Sequence, residues 1–135
     1  LGLALAQPHR KVLVLDGDGS LLMNLGSLIT IAHMAPRNLY HFVFQNNVYR
    51  TSGGQPIPGA GKFNFVALGL ASGYAAAHDF SELETFQLAL PHILERPGPT
   101  LVCLQVPPAT ERPPYAFTRT LDVLPRLREA LAKTK

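Results

Sequence analysis

Val12-Leu13-Val14-Leu15-Asp16-Gly17-Asp18-Gly19-Ser20 changes character within a few residues, and the rest of the chain can be read outward from it. Its first four residues are apolar, two of them β-branched, and they do not alternate with polar ones. That pattern suits a strand covered on both faces, as in a parallel sheet. Two glycines then bracket Asp18. From Ser20 the apolar residues recur at helical spacing (Leu21, Leu22, Leu25, Leu28, Ile29, Ala32), which predicts a helix of about four turns, capped by Ser20 and stopped at Ala35-Pro36. Strand, glycine turn and helix in that order open a βαβ unit.

The alternation continues downstream. Leu39 to Phe44 is aromatic and β-branched and reads as a second strand, running into the polar tip Gln45-Asn46-Asn47. Residues 51 to 62 are dense in glycine (Gly53, Gly54, Gly59, Gly61) and proline (Pro56, Pro58), a composition expected to be neither helix nor strand but a long loop. Asn64 is placed to cap a short helix through Ser72, and Tyr74 to Ala77 reads as a small-residue strand. Ser81 with Glu84 has capping-box spacing and starts a helix to about Glu95, before Pro97-Gly98-Pro99. Leu101 to Val106 is a last strand, and Leu121 to Ala132 a last helix in which Pro125 fits only in the first turn. The expected fold is a single α/β domain over residues 1 to 135, a three-layer α/β/α sandwich on a mostly parallel sheet.

Bulk properties agree with one globular domain. A chain of 135 residues can bury one real core but not two. Apolar residues make up 47% and charged ones 16%, more hydrophobic surface than a lone domain of this size usually carries, so a partner surface is expected. The formal charge of +3 owes much to Arg126, Arg128, Lys133 and Lys135, where cations suit a helix C-terminus, and a nucleic-acid partner is not expected. Cys103 is the only cysteine and lies in an apolar run, which excludes an internal disulfide and predicts a reduced thiol and a cytoplasmic setting. No stretch approaches the roughly 20 apolar residues of a membrane span. Leu1-Gly2-Leu3-Ala4-Leu5-Ala6, with no methionine at its start, resembles the tail of a helix already under way, so further residues upstream are expected.

Gly17-Asp18-Gly19-Ser20 sits where a strand hands over to a helix, and in an open parallel sheet ligands bind beyond the strand C-termini. Glycines let the backbone approach a ligand, and a helix start favours an anion such as phosphate. A carboxylate among such amides calls for a cation. Mg²⁺ fits, because it takes one or two protein oxygens together with phosphate oxygens and water. If the second strand neighbours the first, the side-chain oxygen of Asn46 lies on the same edge as Asp18 and completes the site. A neutral amide beside one carboxylate leaves the ion positive toward a diphosphate.

Gly-Asp-Gly at a strand end, with an Asn-Asn pair whose first member stands 28 positions after Asp18, resembles the signature of thiamine-diphosphate-dependent enzymes, in their C-terminal diphosphate-binding domain. The Asn-x-x-Tyr pattern of Asn46 to Tyr49 implies that Asp18, Asn46 and the backbone carbonyl of Val48 hold Mg²⁺. It also implies that Gly17, Gly19, Ser20 and Tyr49 line the cofactor. Gly17 to Gly26 and Thr51-Ser52-Gly53-Gly54-Gln55-Pro56 are most similar to sulfopyruvate and phosphonopyruvate decarboxylases, whose substrates are small 2-oxo acids. The resemblance implies that the activating glutamate belongs to a separate pyrimidine-binding domain or subunit, since none of the nine acidic residues here matches it. A homo- or hetero-oligomer, inactive without that partner, is therefore expected, with no catalytic residue on this chain.

Rival readings are weaker. Gly59-Ala60-Gly61-Lys62 suggests a nucleotide loop, but Pro56 stands where its first glycine belongs and Phe63 replaces Ser or Thr. Gly17-x-Gly19 suggests a dinucleotide fold, but Leu22 occupies the third glycine position. His9, His33, His41, His78 and His92 show no zinc spacing, and the role of His41, inside a strand, stays open. A non-catalytic assembly or regulatory module of the same fold, or an acetolactate-synthase-like carboligase component, remains an alternative to a decarboxylase.

Overall fold

A computed structural model describes residues 1–110 and 119–132. Helix α1 (Gly2–Ala6) leads into β1 (Val12–Gly17), followed by α2 (Asp18–Met23) and α3 (Ser27–Met34), then β2 (Leu39–Gln45). A small hairpin of β3 (Val48–Tyr49) and β4 (Gln55–Pro56) encloses a 3₁₀ turn, Arg50–Ser52. Then come α4 (Phe65–Ser72), β5 (Ala76–Phe80), α5 (Leu83–Glu95), β6 (Thr100–Gln105) and α6 (Thr120–Ala132).

Four strands form one sheet in the order β1-β2-β6-β5, and every pairing is parallel. Helices lie on both faces. On one, Leu21, Leu28, Ile31 and Phe65 from α2, α3 and α4 pack over Leu39, Val43, Leu101 and Cys103. On the other, Ile93, Phe86 and Leu90 of α5 pack over Tyr40, Phe42 and Val102. This is the three-layer sandwich that the alternating pattern predicts.

Several elements differ from the sequence reading. The single helix expected from Ser20 is two. It starts at Asp18 with Gly17 as its cap, so Ser20 lies inside it and caps nothing. It breaks at Asn24–Gly26, two poor helix formers flanking Leu25, and α3 restarts at Ser27. The stop before Pro36 is as expected, with Ala35 left-handed at φ 44°. Residues 51 to 62 are less irregular than composition suggests, because Arg50–Ser52 and Gln55–Pro56 are ordered into the 3₁₀ turn and hairpin. The third strand lies later than Tyr74 to Ala77: Gly73, at φ 99°, ends α4, and β5 extends through His78 and Asp79, which look like breakers but occupy an edge strand. Glu82, not Ser81, precedes α5, and its side chain makes no capping bond. Pro125 is the sixth residue of α6, past its first turn. Lys133 and Lys135, expected at that helix end, lie outside the described residues.

One difference bears on the surface. Among the described residues, β1 is covered on one face only. Leu13 and Leu15 are 50% and 69% exposed, and with Phe42, Phe44, Phe86 and Leu104 they line an apolar groove of about 520 Å³. No helix among the described residues is long and apolar enough to cross a membrane.

Candidate functional site

β1 and β2 run side by side in register, with Gly17 opposite Phe44, so the ends of both strands reach the same edge of the sheet. Asp18 begins α2 there and is 1% exposed. Its Oδ1 accepts the Gly19 N–H at 2.8 Å and its Oδ2 accepts the Asn47 N–H at 2.7 Å. The second bond spans the two strand tips. Asn47 can aim its N–H at Asp18 because it adopts a left-handed backbone, φ 63°, which asparagine tolerates better than most residues. Just before it, Asn46 folds back, its Oδ1 accepting the Val48 N–H at 3.0 Å in an Asx turn.

The hairpin closes over this junction. Tyr49 O accepts the Gly54 N–H at 2.8 Å, and Asn47 O accepts the Ile57 N–H at 2.9 Å. Ile57, only 2% exposed, and Tyr49 pack against Gly19: a Cβ on Gly19 would lie 2.6 Å from Tyr49 Cδ1. An aromatic ring thus occupies the side-chain space of Gly19, so only glycine fits there. Gly17 has nothing within 4 Å of where a Cβ would be. Its N–H goes to the Asp16 carboxylate at 2.9 Å, as that of Gly19 goes to Asp18 at 2.8 Å. Ser20 is exposed in the first turn of α2.

Electrostatics favour a cation at Asp18. Burying a carboxylate is costly unless it is compensated. Its carboxylate accepts two backbone amides, and the ion pairs His41–Asp16 and His92–Glu95 do not involve it. A carboxylate offers about four lone-pair directions, so two accepted N–H bonds leave capacity for a metal. The surrounding oxygens (one carboxylate, one amide, backbone carbonyls) are the hard donors that Mg²⁺ takes. The residues present therefore fit a Mg²⁺–diphosphate group. Among the described residues no three His, Cys, Asp or Glu side chains are grouped as a metal site.

Sequence reasoning missed several neighbours. Asn47 passes for a plain turn residue, although its amide ties the two tips together. Beside it, Gln45 Nε2 donates to Asn47 Oδ1 at 3.3 Å and Gln45 Oε1 accepts the Cys103 thiol at 3.1 Å. These residues border a polar hollow of about 300 Å³ that reaches Asn64, Asp79 and Gln105. Burial, helped by Asp79, pushes the Cys103 thiol up to about 12, so it is an inert, protonated group. No spacing rule in the sequence signals the Gln45–Cys103 contact, because it forms between β2 and β6, which are not consecutive in the chain.

A buried carboxylate and an asparagine tip meet on adjacent parallel strands under a hairpin, at the C-terminal strand edge of an α/β domain. Residues 1–104 match the family described as thiamine pyrophosphate enzyme, C-terminal TPP binding domain, and the chain belongs to that family. It is 43% identical over 110 residues to a phosphonopyruvate decarboxylase of Streptomyces hygroscopicus, covering 82% of this chain and 27% of that protein. It is also 56% identical over 55 residues to the sulfopyruvate decarboxylase subunit beta of Methanothermobacter thermautotrophicus, covering 41% of this chain and 29% of the relative. The chain thus spans less than a third of the length of these curated relatives. Benzoylformate decarboxylase from Polynucleobacter necessarius shares the fold, with a TM-score of 0.66 and 22% identity over 83% of this chain and 22% of the other.

Proposed function

We propose that this chain is the diphosphate-binding part of a thiamine-diphosphate- and Mg²⁺-dependent decarboxylase of small 2-oxo acids, of the sulfopyruvate or phosphonopyruvate type. The observation that carries the reading is the buried Asp18 carboxylate tied to the Asn47 amide, which joins the two strand tips into one site. Asp18, the Asn46 side-chain oxygen and the Val48 carbonyl hold the metal. Gly17, Gly19, Ser20 and Tyr49 line the diphosphate; Gly17, with open space beside it, allows its approach, and Gly19 lets the Tyr49 ring pack against the turn. Bound thiamine diphosphate supplies the electron sink for loss of CO₂. This chain's residues bind and orient it.

The pyrimidine end and the activating glutamate come from a partner domain or subunit in a homo- or hetero-oligomer. Support lies in the designation "subunit beta" of the Methanothermobacter protein and in the apolar groove beside β1, open among the described residues. A cytoplasmic setting fits the lone, buried thiol. The second reading is a carboligase component, favoured by 30% identity over 115 residues to an Escherichia coli acetolactate synthase large subunit. Products formed from pyruvate and from sulfo- or phosphonopyruvate distinguish the two. The test of the site is Asp18→Ala in the full-length protein with its partner. Mg²⁺-dependent thiamine diphosphate binding, followed by calorimetry, is expected to vanish while the fold persists, and unchanged binding rejects the assignment.

A further inference from the structure

His41 sits in the middle of β2, 3% exposed, between residues that are almost wholly apolar and buried: Leu39, Tyr40, Phe42 and Val43. A valine or isoleucine would suit such a position without any polar group to satisfy. The imidazole is nonetheless fully partnered. Nε2 lies 3.3 Å from Asp16 Oδ2 on β1, and Nδ1 lies 3.2 Å from the hydroxyl of Tyr74, itself 4% exposed, between α4 and β5. A carboxylate only accepts, so Nε2 carries the proton and Nδ1 takes the tyrosine's. Burial lowers the pKa of His41, against the pull of Asp16, which keeps this tautomer neutral.

The relay continues toward the site. Asp16 turns its other oxygen, Oδ1, to the Gly17 N–H at 2.9 Å. Gly17, extended at φ −96° and ψ 150°, is the residue from which α2 and Asp18 start. With no side chain of its own, Gly17 has little to resist rotation of the peptide that aims Asp18. The Asp16 carboxylate holds the Asp16–Gly17 peptide from which the turn into Asp18 starts, and His41 fixes the orientation of the carboxylate.

We infer that His41 is a positioning residue for the metal site: through Asp16 it locks the Gly17 amide, and so the direction in which Asp18 presents its carboxylate to the cation. Tyr74 anchors the far side of the imidazole. The inference rests on the Mg²⁺–diphosphate reading of the Asp18 site.

The test measures binding of thiamine diphosphate with Mg²⁺ by calorimetry, and melting temperature, in the full-length protein with its partner. His41→Phe keeps the core filled and releases Asp16; it is expected to weaken binding by about tenfold or more, the range for loss of an outer-shell partner. Asp16→Ala is expected to do the same, and the double variant to be no worse than either, because both break one relay. His41→Gln, which retains a donor toward Asp16, is expected to recover most of the affinity. Multiplying effects in the double variant overturn the inference. So does wild-type affinity in His41→Phe when Asp18→Ala has lost binding, which leaves the site reading standing. Wild-type affinity in Asp18→Ala removes the site reading and the relay together. Should His41→Phe not fold, Asp16→Asn decides: weakened binding at an unchanged melting temperature supports the relay, and unchanged binding overturns it.

Discussion

Two aspartates stand at the C-terminal edge of the same sheet, toward opposite ends of it, and they are held in different ways. Asp18, after β1, is 1% exposed and has one backbone N–H on each carboxylate oxygen. Asp79, in the edge strand β5, is exposed and receives the side-chain amide of Gln105 at 2.7 Å. Backbone donors cannot swing away, whereas a glutamine on an open surface exchanges with water. The first arrangement holds a desolvated charge in a fixed direction, which a divalent cation offsets; the second is a solvated surface pair of small consequence. Residue type alone does not separate them. What separates them is the neighbouring strand tip and the hairpin folded over it.

The comparison can be broken most severely at Asp18. Asp18→Asn keeps size and some hydrogen bonding but removes the charge, and Mg²⁺-dependent diphosphate affinity is expected to fall by more than about a hundredfold, beyond the range for outer-shell losses. Gly19→Ala comes next. The new methyl would lie 2.6 Å from the Tyr49 ring, so the hairpin must shift; overpacking of this kind costs about 1–3 kcal/mol, read by urea unfolding. A Tyr49→Leu partner change is expected to return part of it.

A smaller effect is one of pH. Because burial lowers the folded-state pKa of His41, the unfolded chain binds more protons there. Stability from this group is therefore complete above the unfolded value of about 6.5 and declines as pH falls below it toward the folded value. Melting temperatures between pH 7.5 and pH 5 should show that decline, and His41→Phe should flatten it. The smallest effect is expected at Asp79: Asp79→Asn should change stability by no more than about 0.5 kcal/mol, as for most surface substitutions, and leave cofactor affinity alone. A large loss of affinity there would invert the comparison.

Much of this was legible beforehand. The apolar run at Val12 to Leu15, the aromatic strand at Leu39 to Phe44 and the glycine-bracketed Asp18 dictate a parallel α/β edge, and the family membership of the chain follows the same residues. What stayed hidden depends on contacts between elements far apart in sequence. Composition cannot show that a tyrosine ring fills the space beside Gly19, that Asn24–Gly26 splits a helix whose apolar spacing runs on unbroken, or that His41 reaches Asp16 and Tyr74. Nor does an apolar run reveal which face is covered, and Leu13 and Leu15 lie open where a fully buried strand was expected.

The most direct measurement is a crystal structure of the full-length protein with its partner, thiamine diphosphate and Mn²⁺ in place of Mg²⁺, with the metal located by its anomalous signal. The ion should lie between Asp18, the Asn46 amide oxygen and the Val48 carbonyl, touching the diphosphate. A metal bound elsewhere, with Asp18 making only its bonds to Gly19 and Asn47, would contradict the account.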